Sequence, residues 1–498
     1  MKTAVIAALL ACAGLPAAGS AALGLDDLVR TALECNLDLK ASRLGPESAQ
    51  GDLRQAQGRF DPQLTLGPEW SRNNETLVNS LSVKNQGSLG HDTYGLSLAG
   101  ATPWSSQYTF TTQSMRRTED RVVFQNQPLD PLLFQNYPTE WDSSVQIGIV
   151  QPLLRGLGTA TVPVRKARLG LSAAEARARQ QADQVVAAVQ QAYAALELAA
   201  WQEQAGEASL ARAQKLYLRS RDKQELGLIS AMDLITTEKA VSSRKASLAA
   251  GHAARKDAEE ELLGVVYGAR AAAAVRAEAV ALPVDPRTAV AVPQLPDLAL
   301  CEAQALDQRK SLEAGRGDLE ALRLDLQAAR NNLKPTLNLS GSYTVKGTRN
   351  ESDRWTAGDR PYDQGTRGWT VGLSLGIPVF NRTARGAAQK AAVQVRQQEL
   401  TLQGLEQEIR ASVRAAYRAI QSGQERLAFA DRAQGLARQH YEGELERMEM
   451  GLTDPFRVTQ VEEELAAAEL ATVQARFDLA KAVSAYRFAM GESAQPYL

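Results

Sequence analysis

The chain has 498 residues, with 56 Lys+Arg against 57 Asp+Glu and a formal net charge of -1. That balance leaves no basic footprint for nucleic acid. Aromatic residues make up 5%, low for a compact enzyme core and normal for an Ala-rich assembly of long helices.

At the N-terminus, Met1-Lys2 supplies a short positive region and Thr3 to Leu15 is nearly all apolar. Small residues follow, with Ser20 and Ala22 fitting a cleavage rule, so residues 1–22 read as a secretory signal peptide. Leu9-Leu10-Ala11-Cys12 offers a lipidation site as the lesser alternative. After cleavage Cys35 and Cys301 remain, too few for a disulfide framework and best read as small buried hydrophobes. No later run of 18 apolar residues exists, so any passage through a membrane must use strands.

The first half, residues 23–266, opens with a helical stretch from Leu25 to Arg59. A strand over 62–72 then begins at Pro62, where Leu64 and Leu66 alternate with Gln63, Thr65 and Gly67. An additional hairpin over 93–112 follows, its Tyr94, Leu96, Leu98, Tyr108 and Phe110 alternating around Pro103-Trp104-Ser105-Ser106. A returning strand over 143–151 leads into a helical hairpin over 158–266, where Val186, Val189, Tyr193 and Leu196 keep a 3-4-3 spacing. A Pro-rich linker covers 267–296. The second half, 297–491, repeats the order: a helix from Asp297 to Asn332, strands over 335–346 and 368–377, and a helical hairpin over 381–490 seamed by Leu402, Leu405, Ile409, Val413, Tyr417 and Ile420. A short tail, 492–498, ends the chain.

The halves are copies. Leu33, Leu39, Asp52, Leu53, Pro62 and Leu66 recur as Leu306, Leu312, Asp325, Leu326, Pro335 and Leu339, each 273 residues later. Pro152 and Pro378 lie 226 apart, and Gly227-Leu228 and Gly451-Leu452 lie 224 apart, so the first copy carries about 47 inserted residues. The strands alone suit either a soluble half-buried hairpin or a membrane barrel. The long helices, proline-free from Val164 to Leu282 and from Val379 to Asp454, decide for the barrel: the descending arm from Gly158 to Leu226 is about 69 residues, or roughly 100 Å. The shorter ascending arm, stacked with the helix from Leu25 to Arg59, matches that height.

These features resemble the TolC family of outer-membrane efflux and secretion channels, over Leu25 to Gly491. The resemblance is carried by Gln151-Pro152-Leu153-Leu154-Arg155-Gly156 and Ile377-Pro378-Val379-Phe380-Asn381-Arg382, where strands pass into helices, and by the tips Gly227-Leu228-Ile229-Ser230 and Gly451-Leu452-Thr453-Asp454. It implies a mainly α chain with membrane β structure: a duplicated β-hairpin plus long coiled-coil helical hairpin, assembled as a homotrimer. Since open strand edges are not tolerated in lipid, three chains of four strands would share a 12-strand barrel continued by an α-helical tunnel. It also implies a Gram-negative outer-membrane location with a large periplasmic part. The partners implied are a periplasmic adaptor meeting the tips at Gly227, Leu228, Ser230, Gly451, Leu452 and Thr453, an inner-membrane transporter, and outer-membrane lipid.

Two features depart from that family. The inserted hairpin is expected to be an extracellular loop in preference to extra barrel strands. At the tips, Asp233, Arg457 and Gln460 stand nearest the expected aperture, and Asp233 and Arg457 either pair across it or are two solvated charges. The junction residues expected to matter are Pro152, Gly156, Pro378 and Asn381.

Catalytic constellations are missing. His91, His252 and His440 are far apart in sequence, without metal-ligand spacing. No phosphate loop, nucleophile elbow or dinucleotide fingerprint is present, and no cofactor is implied. Glu462-Glu463-Glu464 reads as a mostly solvated or lumenal helix face. The competing reading is a periplasmic coiled-coil adaptor or structural protein, which would lack paired strands of lipid-spanning length.

Overall fold

A computed structural model describes residues 24–78, 84–123, 133–136, 140–227, 229–268, 292–350 and 366–492. The expected signal peptide, Cys12, residues 269–291 of the linker, Leu228 and the tail from 493 onward lie outside these. The chain divides into two compact units. Met1–Glu47, Ser172–Arg316 and Leu400–Leu498 make up a helical unit, and Ser48–Leu171 with Gly317–Glu399 a unit built on a sheet.

In the first half, α1 (Leu25–Cys35) and α2 (Leu37–Gln57) precede the sheet, and α3 (Val162–Glu225) and α4 (Ala231–Tyr267) follow it. In the second half α5 (Leu298–Gln308), α6 (Lys310–Asn331), α7 (Arg382–Glu449) and α8 (Pro455–Met490) repeat the order. Thus α1 and α5 start and end 273 residues apart, as the sequence offset requires.

Each helix expected to run unbroken before the strands is in fact interrupted once, at Asn36 and at Arg309. Both residues adopt extended geometry, with ψ of 123° and 115°. The reason lies in the last turns of the long helices, whose carbonyls have no partner within the helix. Asn36 Nδ2 donates to the Val265 carbonyl at 2.7 Å, and its Oδ1 accepts from the Leu39 amide at 2.9 Å, capping α2. Arg309 Nη1 donates to the Phe488 carbonyl at 2.7 Å, with its guanidinium 4.8 Å over the Phe488 ring. Burial lowers the Arg309 pKa, while Asp183 and Glu408 oppose that shift. The two copies therefore solve one capping problem with different side chains.

The sequence-read seams are largely buried, with Tyr193, Leu405 and Tyr417 half-buried at their margins. Leu28, Val29 and Leu39 pack with Val186, Val189 and Leu196 of α3 and with Leu262 and Val266 of α4. On α7, Ile409, Val413 and Ile420 are fully enclosed. Burying each such side chain contributes about 1.5–3 kcal/mol. Cys35 and Cys301 are buried free thiols, and Cys301 Sγ lies 3.3 Å from the Tyr486 hydroxyl. That hydroxyl's pKa is raised, first by burial and then by the Cys301 contact.

The sheet unit holds β1 (Gln63–Val78), β2 (Lys84–Ala101), β3 (Gln107–Val123), the short β4 (Leu133–Asn136), β5 (Glu140–Pro152), β6 (Thr336–Asn350) and β7 (Thr366–Gly376). Their order is β1-β2-β3-β5-β6-β7, with β4 beside β3, and every pair is antiparallel. The four strands expected from the duplication are present as β1, β5, β6 and β7. The inserted hairpin, expected as a loop outside the sheet, is instead two full strands between β1 and β5. Sequence alternation has the same period in a loop hairpin and in a sheet strand, so only the pairing distinguishes them.

Candidate functional site

The first tip follows α3. Gly227 takes φ +72°, and its amide donates to the Gln224 carbonyl at 2.9 Å. Glycine adopts this left-handed geometry without the Cβ clash other residues meet. Ser230 then caps α4: its Oγ accepts from the Asp233 amide at 3.2 Å, while the Asp233 carboxylate accepts from the Ser230 amide at 3.0 Å. This is a reciprocal capping box.

The second tip is built alike, 224 residues on. Gly451 takes φ +73°, and the Leu452 and Gly451 amides donate back to the carbonyls of Arg447 and Met448 at 2.9 and 3.2 Å. Thr453 follows in the same bend. Asp454 accepts from the Arg457 amide at 2.8 Å, with Pro455 in the first turn where its missing N–H costs nothing. Arg457 Nη1 donates to Gln460 Oε1 at 2.9 Å.

Asp233 and Arg457, considered above as a pair, are thus each engaged within their own helix and form no ion pair with each other in the single chain. The tips are joined by other residues. Lys223 Nζ donates to the Met448 carbonyl at 2.7 Å, and Arg219 and Glu449 pair at 2.9 Å. Leu216, Met448 and Val458 are buried together beneath them.

Farther from the tips lies a charged cluster that the sequence reading missed. Glu462 is 3% exposed, in contrast to Glu463 and Glu464 beside it, which are exposed as expected. Its carboxylate accepts from Ser209 Oγ at 2.6 Å, Arg212 Nε at 3.4 Å and Arg244 Nη2 at 2.8 Å. Arg212 also reaches Glu469 at 2.9 Å. Two cations and a hydroxyl satisfy a carboxylate that could not be buried alone. The legible signal was position: Glu462 follows the buried Val458 and Val461 by four and one residues, on their face of α8. A similar group joins Glu203 to Arg255 at 2.9 Å and to His252. The Arg255 hydrogen bond is the main reason the Glu203 pKa falls below its ordinary value.

The strand-to-helix junctions belong to the sheet unit. After Pro152, the Leu153 amide donates to the Leu337 carbonyl at 2.7 Å. Gly156, at φ +92°, donates its amide to Asn331 Oδ1 at 2.6 Å. In the second copy Pro378 precedes Asn381, which takes φ +44° and donates from Nδ2 to the Leu333 carbonyl at 3.1 Å. Asparagine tolerates this region better than most residues with a Cβ. The chain therefore leaves the sheet by a left-handed residue in both copies.

Among the described residues no helix is long and apolar enough to cross a membrane, and no group of three or more His, Cys, Asp or Glu is placed to hold a metal ion.

A duplicated sheet-and-helical-hairpin chain of this order has the fold of an outer-membrane channel. The outer-membrane channel OprN superposes with a TM-score of 0.67 at 17% identity, covering 94% of this chain and 90% of its own. A membrane protein from Pseudomonas aeruginosa gives 0.68 at 18%, with the same coverages. The outer membrane protein VceC from Vibrio cholerae gives 0.63 at 16%, covering 94% and 96%. No curated protein sequence matches the chain. The family profile described as outer membrane efflux protein matches residues 303–492. The TolC-type resemblance read from the sequence therefore holds.

Proposed function

We propose that the chain is the outer-membrane channel of a tripartite efflux pump or type I secretion system, conducting exported molecules passively across the periplasm and outer membrane. The sheet is the observation that carries this reading. Its strands run 11 to 18 residues apart from the short β4, and 9–11 tilted residues suffice to span a bilayer. Leu64, Leu66, Trp369, Val371, Leu373 and Leu375 stand largely exposed on it, a face suited to lipid. A periplasmic adaptor has no use for such a sheet.

A homotrimer follows from what one chain leaves uncovered. Among the described residues, strands β1 and β7 end the sheet with unpaired outer edges, which lipid forbids. On α7, Val393 and Leu400, then Phe429 and Leu436, are exposed at seven-residue spacing, the seam of a coiled coil awaiting another helix. An inner-membrane transporter would supply the energy, and an adaptor would dock on Gly227, Leu228, Ser230, Gly451, Leu452 and Thr453. Asp233, Arg457 and Gln460 would border the aperture.

The test is the mass and conductance of the detergent-solubilised complex from purified outer membranes. A trimer that forms ion-conducting pores in planar bilayers is expected. A soluble periplasmic monomer would refute the proposal.

A further inference from the structure

We infer that each chain contributes six strands to the membrane barrel, so that three copies close an 18-stranded pore, with β2 and β3 as lipid-facing wall.

The pairing excludes a hairpin lying apart from the wall. β2 is bonded to β1 from Gln63↔Ala99 to Val78↔Lys84, and β3 to β5 from Gln107↔Val150 to Arg117↔Glu140. β1 and β5 are thereby kept apart, and closure through β1 and β5 alone would require both ladders to break.

The hairpin's turn also lies at the wrong end for an extracellular loop. The Ala160 amide, just before α3, donates to Ser105 Oγ at 3.4 Å. Gln151 Nε2 donates to the Trp104 carbonyl at 3.3 Å, and Ser106 Oγ donates to Gln151 Oε1. The turn is therefore bound to the strand-to-helix junction, and β2 and β3 run the length of the sheet away from it.

The faces agree across all six strands in two adjacent rows. Directly opposed residues in a ladder point to the same side. The row Leu64–Leu98–Phe110–Ile147–Tyr343–Trp369 is apolar on all six strands. One residue along, the row Thr65–Ser97–Thr111–Gln146–Thr344–Gly368 is small or polar on all six. In these two rows the inserted strands continue both an apolar face and a polar face across the sheet, as a barrel wall requires.

Insertion of two strands also preserves closure. With an even number per chain, β1 and β7 run antiparallel, so β7 of one copy can pair with β1 of the next in the sense of the rest of the sheet. Barrel diameter grows roughly linearly with strand number, so the pore would be about half as wide again as one built from four strands per chain. The insertion thereby becomes a determinant of cargo size.

The inference rests on the trimeric channel proposed above, and the experiment separates the two. In the full chain in outer membranes, Thr111→Cys with Gln146→Cys tests the β3–β5 contact by oxidative cross-linking. Separate nitroxide labels at Leu98→Cys and Ser97→Cys test the two faces. The native Cys35 and Cys301 are buried and replaced by serine in a parallel set to remove background. The expected result is an outer-membrane trimer whose chains each carry the internal cross-link, with Leu98 relaxed by oxygen and shielded from a water-soluble nickel chelate, and the preference reversed at Ser97. An outer-membrane trimer without the cross-link, in which Leu98 responds to the nickel chelate as Ser97 does, would overturn the six-strand wall and leave the channel intact. Absence of any outer-membrane trimer would sink the channel itself, and with it this inference.

Discussion

Replacing Glu462 by glutamine would loosen the helical unit far more than a single charge on an exposed helix face could. The carboxylate faces Arg212 and Arg244, whose side chains are 20% and 19% exposed, while its own is 4% exposed. Removing one partner of a buried ion pair costs about 3–5 kcal/mol. The lower end applies here, because both arginines keep some water, Arg212 keeps Glu469 at 2.9 Å, and Arg244 has Glu463 at 3.8 Å. A cost of about 3 kcal/mol is a factor of roughly 150 in an equilibrium constant. Hydrogen exchange reads it directly, as faster local opening of α8 and the facing turns of α3 and α4. Glu463→Gln is the control: that side chain is 62% exposed, and its loss is expected to cost under about 0.5 kcal/mol. Protection in Glu462→Gln equal to that in the control would refute the claim that the cluster is a desolvated, mutually satisfied unit.

Other outcomes follow from the same geometry. Asn36→Ala removes both the Val265 contact and the α2 cap, with an expected loss of about 1–2 kcal/mol that denaturant unfolding of the solubilised protein would register. Gly451→Ala forces a Cβ into φ +73° and is expected to cost about 1–2 kcal/mol, visible as a lower thermal midpoint. Glu203 has its folded pKa below its unfolded one, mainly through Arg255. Its contribution is therefore complete above the ordinary carboxylate value and is lost as pH falls through the depressed folded value. Acid unfolding should shift accordingly, with Glu203→Gln flattening that limb of the curve.

The sequence by itself determined what local pattern and repetition can encode. Offsets of 273 and 224 place equivalent helices, tips and strands, because a duplication keeps both periodicity and turn chemistry on either side of the inserted residues. Gly227 and Gly451 were legible as tips since a left-handed turn between long helices asks for glycine. The seams through Val186, Val189, Ile409 and Val413 were legible since helical spacing reveals which face is buried.

Only the tertiary structure decided where patterns of identical form end up. Strands β2 and β3 alternate as any hairpin does, and it is the ladders to β1 and β5 that make them part of the wall. Glu462 stands in a run of three glutamates, and it is the approach of Arg212 and Arg244 from two other helices that allows it to be buried. Asn36 and Arg309 are unlike in chemistry at equivalent positions, yet each completes a carbonyl at the end of a helix more than a hundred residues away in the chain. Those partners are distant in sequence, and no local periodicity records them.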